Sequence, residues 1–217
     1  MVRRFPLSRP SVRVHRAAGF TLIELLTVVA IILVLAGLLL NVAGNANYKS
    51  SVARATAEIK AMETALESYK ADNGTYPRST TAGTGTDALN AQTASNVNST
   101  DGLAAGKILF QALSGTPASG STYSKRYMEF KPGQLSDGSG TTLSTTTTPG
   151  PNTLVVDPFG MAYGYSTINA YAVEQNTNVS SSGYNPTFDL WSNAGYGSGG
   201  KTYPTGVTKQ SLWAKNW

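Results

Sequence analysis

The first hydrophobic pattern in the chain is one long apolar segment, residues 20 to 42. As an α-helix, its 23 residues would extend about 34 Å, which is enough to cross the hydrocarbon core of a bilayer. Glu24 is the only charged residue between Arg16 and Lys49. A carboxylate inside a membrane helix costs roughly 2.5 to 3.5 kcal/mol on insertion scales, so we expect Glu24 to have a cationic partner.

A second pattern follows the apolar segment, with apolar residues at alternating steps of three and four. No proline interrupts residues 20 to 76, so we predict one continuous helix over 20 to 73, about 80 Å long and ending at Gly74. We expect the apolar stripe to pack on a globular head; a surface for a partner helix is the alternative. The stripe consists of Val52, Ala55, Ile59, Met62, Leu66 and Tyr69.

The remaining chain predicts an α+β protein in which the long helix packs on a small antiparallel β-sheet head. Residues 74 to 126 read as a variable loop region with a short helix at about 103 to 113. Residues 127 to 217 form the predicted head, which ends in a C-terminal loop and contains a low-complexity, threonine-rich stretch at 134 to 152. Short aromatic and β-branched segments predict strands at 127–130, 154–156, 163–165, 171–173 and 188–191.

A basic leader, residues 1 to 19, precedes the apolar segment and contains five arginines and no acidic residue. This bias predicts a single-pass orientation with the N-terminus in the cytoplasm and the C-terminal head outside. Two plainer interpretations remain. One is a secretory signal peptide cleaved near Gly44-Asn45-Ala46, although the apolar segment exceeds the usual 7 to 15 residues. The other is an ordinary membrane anchor in which Glu24 has no role.

Composition removes several classes of function. Without the leader, twelve basic residues face twelve acidic ones, so the basic pI gives no reason to expect a nucleic-acid partner. The chain has no cysteine, and its single histidine, His15, lies in the leader. Thiol and imidazole catalysis are therefore unavailable after residue 19. Asp157 and Asp189 are the only obvious acidic pair, and we expect no catalysis from them: Asp157 should cap a turn with its side chain, and Asp189 lies in a strand-like segment beside aromatic residues.

The start of the apolar segment reads Gly19-Phe20-Thr21-Leu22-Ile23-Glu24. It resembles the hallmark of the type IV pilin and type II secretion pseudopilin superfamily. The resemblance implies cleavage between Gly19 and Phe20 by a prepilin peptidase, N-methylation of Phe20, and assembly through Glu24. The new amino group of Phe20 could pair with the Glu24 carboxylate of a neighbouring subunit, which would offset the cost of burying either charge alone.

Several C-terminal motifs are most similar to the major, G-type pseudopilin of type II secretion. Residues 157–163 resemble its Asp-Pro-Trp-Gly-Asn-Pro-Tyr turn, residues 188–192 its Tyr-Asp-Leu-Tyr-Ser, and residues 214–217 its Asn-Trp ending. The Asn-Gly-Thr-Tyr-Pro at 73–77 is also similar. One departure is Asn41, where many relatives have proline. The resemblance covers both ends of the chain and implies a pilin-like fold.

The resemblance implies a non-enzymatic subunit of a homo-oligomeric periplasmic filament, held in the bacterial inner membrane before assembly. Its implied partners are a prepilin peptidase, minor pseudopilins, an inner-membrane platform and an assembly ATPase. A type IV pilin for adhesion, motility or DNA uptake is the alternative within this superfamily. Outside it, a membrane-anchored domain with a binding or hydrolytic activity is the alternative.

Similar pseudopilins often bind calcium in the loop that follows the Asp-Leu segment. Here residues 193 to 200 contain no carboxylate, and no acidic residue follows Asp189. Calcium prefers six to eight oxygen ligands, several of them charged. We therefore expect no cofactor and no metal, with Asp189 as the weak candidate ligand if calcium does bind.

Overall fold

The computed structural model describes residues 19–93, 97–117, 124–138, 143, 148–176, 183–197, 200–205 and 207–217, with the backbone alone for 38–45. The predicted leader, apart from Gly19, lies outside the described residues. So do residues 139–142 and 144–147 of the threonine-rich stretch. The chain divides into two compact units, residues 1–46 and 47–217.

One helix, α1 (Leu22–Asn73), runs from the N-terminal unit into the second unit. It ends as the sequence predicts, because Gly74 adopts a φ of 81°, a left-handed conformation that glycine accepts without strain. The Gly74 N–H donates to the Lys70 carbonyl at 2.7 Å and so completes the last turn. The predicted helix over 20 to 73 is confirmed to within two residues.

In the N-terminal unit, every described side chain of α1 is exposed. Leu22 is 83% exposed and Ile31 60%, so this part of the helix has no apolar partner among the described residues. Among those residues, no helix is long and apolar enough to cross a membrane. The side chains of residues 38 to 42, the last part of the predicted span, lie outside the description.

In the second unit, α1 buries the predicted stripe. Val52 and Tyr69 are half-buried at its ends. Between them, Ala55, Ile59, Met62 and Leu66 have no exposed surface and form the core with residues from the rest of the unit, as predicted. The partners of the stripe include Leu109, Phe110, Leu113, Leu135, Val155, Tyr163, Tyr165, Phe188 and Leu190.

The second helix, α2 (Thr100–Ser114), confirms the predicted helix at 103 to 113 and is longer by three residues at its start. Ser99 caps it, because its hydroxyl accepts the Gly102 N–H at 3.1 Å. Gly115 ends it with a φ of 70°. The first turn is polar, so hydrophobic periodicity did not include it.

The strands form two antiparallel sheets. One pairs β1 (Leu135–Ser136) with β2 (Leu154–Val155). The other has the order β3 (Gly164–Ser166), β4 (Asp189–Ser192) and β5 (Ala214–Lys215). In the second sheet the Trp191 ring packs over Gly164, where an added Cβ would lie 2.2 Å from the ring. This cross-strand pair therefore requires glycine at position 164.

Two predicted strands are wrong. Residues 127–130 form no strand, because the N–H groups of Tyr127 and Met128 both donate to the Leu113 carbonyl and so satisfy the end of α2 instead of a sheet. Residues 171–173 lie in a third helix, α3 (Ile168–Glu174). The two-residue strands β1 and β5 were not predicted, since they are too short to show alternation.

Candidate processing and assembly site

Gly19 and Phe20 precede α1 in irregular, exposed backbone, and the Phe20 side chain is 85% exposed. A Cβ added at Gly19 would meet no described atom within 4 Å. The packing of the described residues therefore gives no reason for a glycine at position 19. An irregular, exposed peptide bond is what a protease requires, so the geometry suits cleavage between Gly19 and Phe20, which remains a prediction.

Glu24 lies in the first turn of α1 and bonds reciprocally with Thr21. The Thr21 N–H and hydroxyl donate to Glu24 Oε2 at 2.8 and 2.6 Å, and the Glu24 N–H donates to Thr21 Oγ1 at 3.3 Å. This is a capping box, which satisfies N–H groups that the first helical turn leaves free. It also holds the Glu24 carboxylate against the backbone of the residue that follows Phe20.

The sequence interpretation of Glu24 considered only a cation on a neighbouring subunit. The local role was missed, although Thr-x-x-Glu before an apolar run is the sequence signature of a capping box. The two roles are compatible, because the described bonds use only Oε2 of the carboxylate. The assembly role of Glu24 remains a prediction.

In the head, Asp157 supports the turn that precedes β3. Its Oδ1 accepts the N–H groups of Phe159 and Met161, both at 2.9 Å, and its Oδ2 accepts the Ser192 hydroxyl at 2.5 Å. Burial raises the pKa of Asp157, and these three hydrogen bonds offset part of that effect. The arrangement ties the turn to β4 and fits the structural role expected of this aspartate.

Asp189, the weak metal candidate, is bonded in the same way. Its Oδ2 accepts the Tyr184 N–H at 2.9 Å and its Oδ1 accepts the Asn185 N–H at 2.8 Å. Gly183 makes the approach possible, because a Cβ there would lie 2.5 Å from Oδ2. Burial raises the pKa of the Asp189 carboxyl. In the described part of the chain, no three His, Cys, Asp or Glu side chains group as metal ligands would.

Glu58 connects α1 to the rest of the head, a role that no sequence pattern indicates. Its Oε1 accepts from Arg54 Nε at 2.8 Å and Gln134 Nε2 at 2.9 Å, and its Oε2 accepts the Tyr163 hydroxyl at 2.6 Å. Burial, with the adjacent Glu58 carboxylate as a second cause, raises the pKa of Tyr163. A glutamate beside an apolar stripe is usually solvated, so only the tertiary structure shows this function.

The predicted variable loop region is anchored by an ion pair between the half-buried Arg78 and the buried Asp87. Arg78 Nε and a terminal guanidinium nitrogen donate to the two oxygens of Asp87 at 3.2 and 3.1 Å. Asp87 also accepts the Thr167 hydroxyl at 2.8 Å, and Arg78 contacts Glu174 at 2.6 Å. Bidentate pairing of this kind fixes geometry. It holds the segment after Gly74 against α3.

Comparison with known proteins gives two adjoining family matches. Residues 14–40 match the prokaryotic N-terminal methylation motif, and residues 41–113 match protein G of the type II secretion system. The first match contains the Gly19-Phe20 junction and Glu24. The second contains the buried stripe of α1 and most of α2.

Curated relatives agree with the family match. The chain is 43% identical over 76 residues to type II secretion system core protein G of Aeromonas hydrophila, covering 35% of this chain and 50% of the relative. It is 47% identical over 60 residues to core protein G of Escherichia coli K12, covering 27% and 41% respectively. The corresponding protein of Vibrio cholerae is 39% identical over 66 residues, covering 30% and 44%.

The matches thus span half or less of the length of these relatives. No solved structure matches the chain significantly. The fold defines the class: an α+β protein with a long N-terminal helix and small antiparallel sheets. Over residues 14–113, the chain is similar to the N-terminal methylation motif followed by protein G of the type II secretion system.

Proposed function

We propose that this chain is a structural subunit of a periplasmic filament in a type II secretion system, processed at Gly19 and assembled through the N-terminal part of α1. The observation that carries the proposal is the exposed apolar helix that follows an exposed Gly19-Phe20 junction. An apolar surface of this extent is stable only in lipid or against other apolar helices. Membrane residence followed by filament assembly supplies both environments in turn.

The capping box supports a role for Glu24 in this assembly. It holds a carboxylate beside the backbone of Thr21, immediately after the residue that cleavage would make N-terminal. A positively charged amino group at Phe20 is the natural partner of such a carboxylate, in the same chain or in a neighbour. Once desolvated, the pair would favour one register between subunits, because a burial that leaves either charge alone is strongly penalised.

The proposed subunit has no enzymatic activity. The two head carboxylates that sequence analysis considered for catalysis, Asp157 and Asp189, accept hydrogen bonds from backbone donors of their own turns. Prepilin peptidase, minor pseudopilins, an inner-membrane platform and an assembly ATPase are the proposed partners. The proposed location is the inner membrane, with the N-terminus cytoplasmic and the head periplasmic.

Processing provides the test. The full chain is expressed with and without a prepilin peptidase, and the product is measured by intact mass spectrometry. We expect a mature chain that begins at methylated Phe20 only when the peptidase is present. Gly19→Val should block cleavage by preventing close backbone approach, whereas Gly37→Val, the same change within α1, should not. A mature N-terminus at Asn45 or Asn47 instead would refute the proposal in favour of ordinary secretion.

A further inference from the structure

The head has a connected aromatic surface next to the start of its part of α1. Tyr48 packs against Phe159 and Tyr196, with ring centroids 5.6 and 6.5 Å apart. Tyr196 in turn stacks on Tyr203 at 5.3 Å. All four residues are half-buried, so each keeps part of its surface exposed. Burial, with Tyr196 as a second cause, raises the pKa of Tyr48 to about 12.

Two exposed lysines cover these rings. Lys201 Nζ lies 4.1 Å from the centroid of the Tyr48 ring, and Lys209 Nζ lies 5.4 Å from that of Tyr203. We call these six residues, Tyr48, Phe159, Tyr196, Lys201, Tyr203 and Lys209, the tyrosine–lysine face. Among the described residues, neither lysine belongs to an ion pair.

Acidic side chains are scarce around this face. No Asp or Glu lies between residues 25 and 57, and none follows Asp189. The next carboxylates along the chain, Glu58 and Asp157, are already held by hydrogen bonds within the head. Lys201 and Lys209 thus give the face positive charge, and no described carboxylate forms an ion pair with either lysine.

We infer that the tyrosine–lysine face is a docking surface for anionic phospholipid headgroups, which holds the head on the membrane before the subunit enters a filament. This inference rests on the proposed membrane stage of the subunit. Aromatic rings with one polar end favour the interface between water and hydrocarbon. Lysines beside them are attracted to anionic lipid, and their long stems place the charge at the level of the phosphates.

The connection to the predicted span keeps this surface close to the bilayer. Tyr48 follows Val42, the last residue of that span, by six positions. Six residues extend at most about 21 Å whatever their conformation, so the chain length limits Tyr48 to that distance from the end of the predicted span. Contact between the face and the lipid headgroups is thereby intramolecular. Even a weak attraction then keeps a substantial fraction of the heads docked.

The test uses the full mature chain in liposomes and takes advantage of the absence of cysteine. Thr205→Cys, at an exposed site between the two lysines, carries a donor dye, and the lipid headgroups carry an acceptor. Ala71→Cys carries the same dye as a control, because it lies about 35 Å from Tyr48 along α1. Energy transfer is compared between phosphatidylcholine vesicles and vesicles that also contain phosphatidylglycerol.

We expect phosphatidylglycerol to increase transfer from position 205 but not from position 71. Raising the salt from about 0.15 M to about 1 M should abolish the increase, because the Debye length falls from about 8 to about 3 Å. Lys201→Gln with Lys209→Gln should lower the ratio of docked to free heads about 25-fold, at roughly fivefold per lysine. Lys107→Gln with Lys131→Gln, which removes the same charge elsewhere on the head, should leave the ratio unchanged.

The inference is overturned if phosphatidylglycerol has no effect at position 205, or if both double variants lose the effect equally. A signal that depends on protein concentration and not on phosphatidylglycerol would assign the face to a second copy of the chain, which also overturns it. Flotation of the chain with neutral vesicles distinguishes a failure of this inference from a failure of the proposed function. A chain that floats without docking contradicts only the inference, whereas a chain that does not float contradicts the membrane stage itself.

Discussion

The two parts of α1 differ in the exposure of their apolar side chains. In the N-terminal unit, Leu22 and Ile31 are 83% and 60% exposed, whereas Ile59 and Leu66 in the second unit have no exposed surface. The first part is apolar on all sides, and the second has a single apolar stripe. A stripe can be covered by one small head, but a helix that is apolar on every side must be surrounded. Among the described residues, the first part has no apolar partner.

The largest effect expected from this comparison is on head stability. Leu66→Ala should lower the free energy of unfolding by about 2 to 5 kcal/mol, because it removes a buried side chain and leaves a cavity. The same change at an exposed position of the N-terminal unit, Leu33→Ala, should change it by less than about 0.5 kcal/mol. Denaturant unfolding of the mature chain in detergent, followed by tryptophan fluorescence, measures both. Equal effects would show that the two parts of α1 do not differ as described.

The next effect concerns Asp157. Asp157→Ala leaves two N–H groups and a hydroxyl without their acceptor. Each group that stays unsatisfied should lower the free energy of unfolding by about 1 to 3 kcal/mol. Asp157→Asn keeps one acceptor oxygen and should cost less. Thermal unfolding of the two variants beside the unmodified chain measures this order, and a larger loss for the asparagine variant would contradict it.

The pH dependence of Asp157 has a definite sign. Burial raises its folded-state pKa above 3.8, so the folded chain binds this proton more tightly than the unfolded chain does. The resulting stabilisation is complete below the unfolded pKa and is lost as the pH rises through the folded pKa. Relative to the unmodified chain, Asp157→Asn should therefore gain stability as the pH rises from about 4 through the folded pKa.

Sequence reasoning predicted those elements whose signals are local. The stripe from Ala55 to Leu66, the end of α1 at Gly74 and the core of α2 all follow from periodicity and cap chemistry. It failed for α3, where the aromatic and β-branched sequence around Tyr171 suggests a strand but the chain forms a helix that buries Asn169 and Ala172. It also failed for β1 and β5, which consist of two residues each and depend on the strands they pair with.

In the candidate site, too, the features with local sequence signals were predicted and those that depend on distant residues were not. The Gly19-Phe20 junction and Glu24 were identified from sequence, because the motif is contiguous. The hydrogen bonds that join Glu58 to Tyr163 were not predicted, since they connect residues 105 positions apart and no pattern in the sequence relates them. The capping box of Thr21 and Glu24 is also predictable, because Thr-x-x-Glu before an apolar run is a contiguous signature.

The smallest expected effect is that of calcium. Both Asp189 oxygens accept backbone N–H groups, and no carboxylate follows Asp189, so added calcium should hardly change the melting temperature of the head. A ligand at 100 times its dissociation constant would stabilise the head by about 2.7 kcal/mol, which a thermal scan detects readily. A clear increase with calcium, absent with magnesium, would show that Asp189 and carbonyl oxygens suffice for binding.

The most direct test of the central claim is filament assembly by Glu24 variants. Glu24→Gln is the decisive change, because glutamine can keep the capping box with Thr21 but removes the charge. Glu24→Ala removes both, and Glu24→Asp keeps the charge with a shorter reach. Membrane level, cleavage state and sheared filament yield are measured for each variant. If the carboxylate pairs with the Phe20 amino group of a neighbour, Glu24→Gln and Glu24→Ala are inserted and cleaved but lose ordered filaments, and Glu24→Asp is intermediate. Normal filaments from Glu24→Gln would contradict the account and reduce Glu24 to a helix cap.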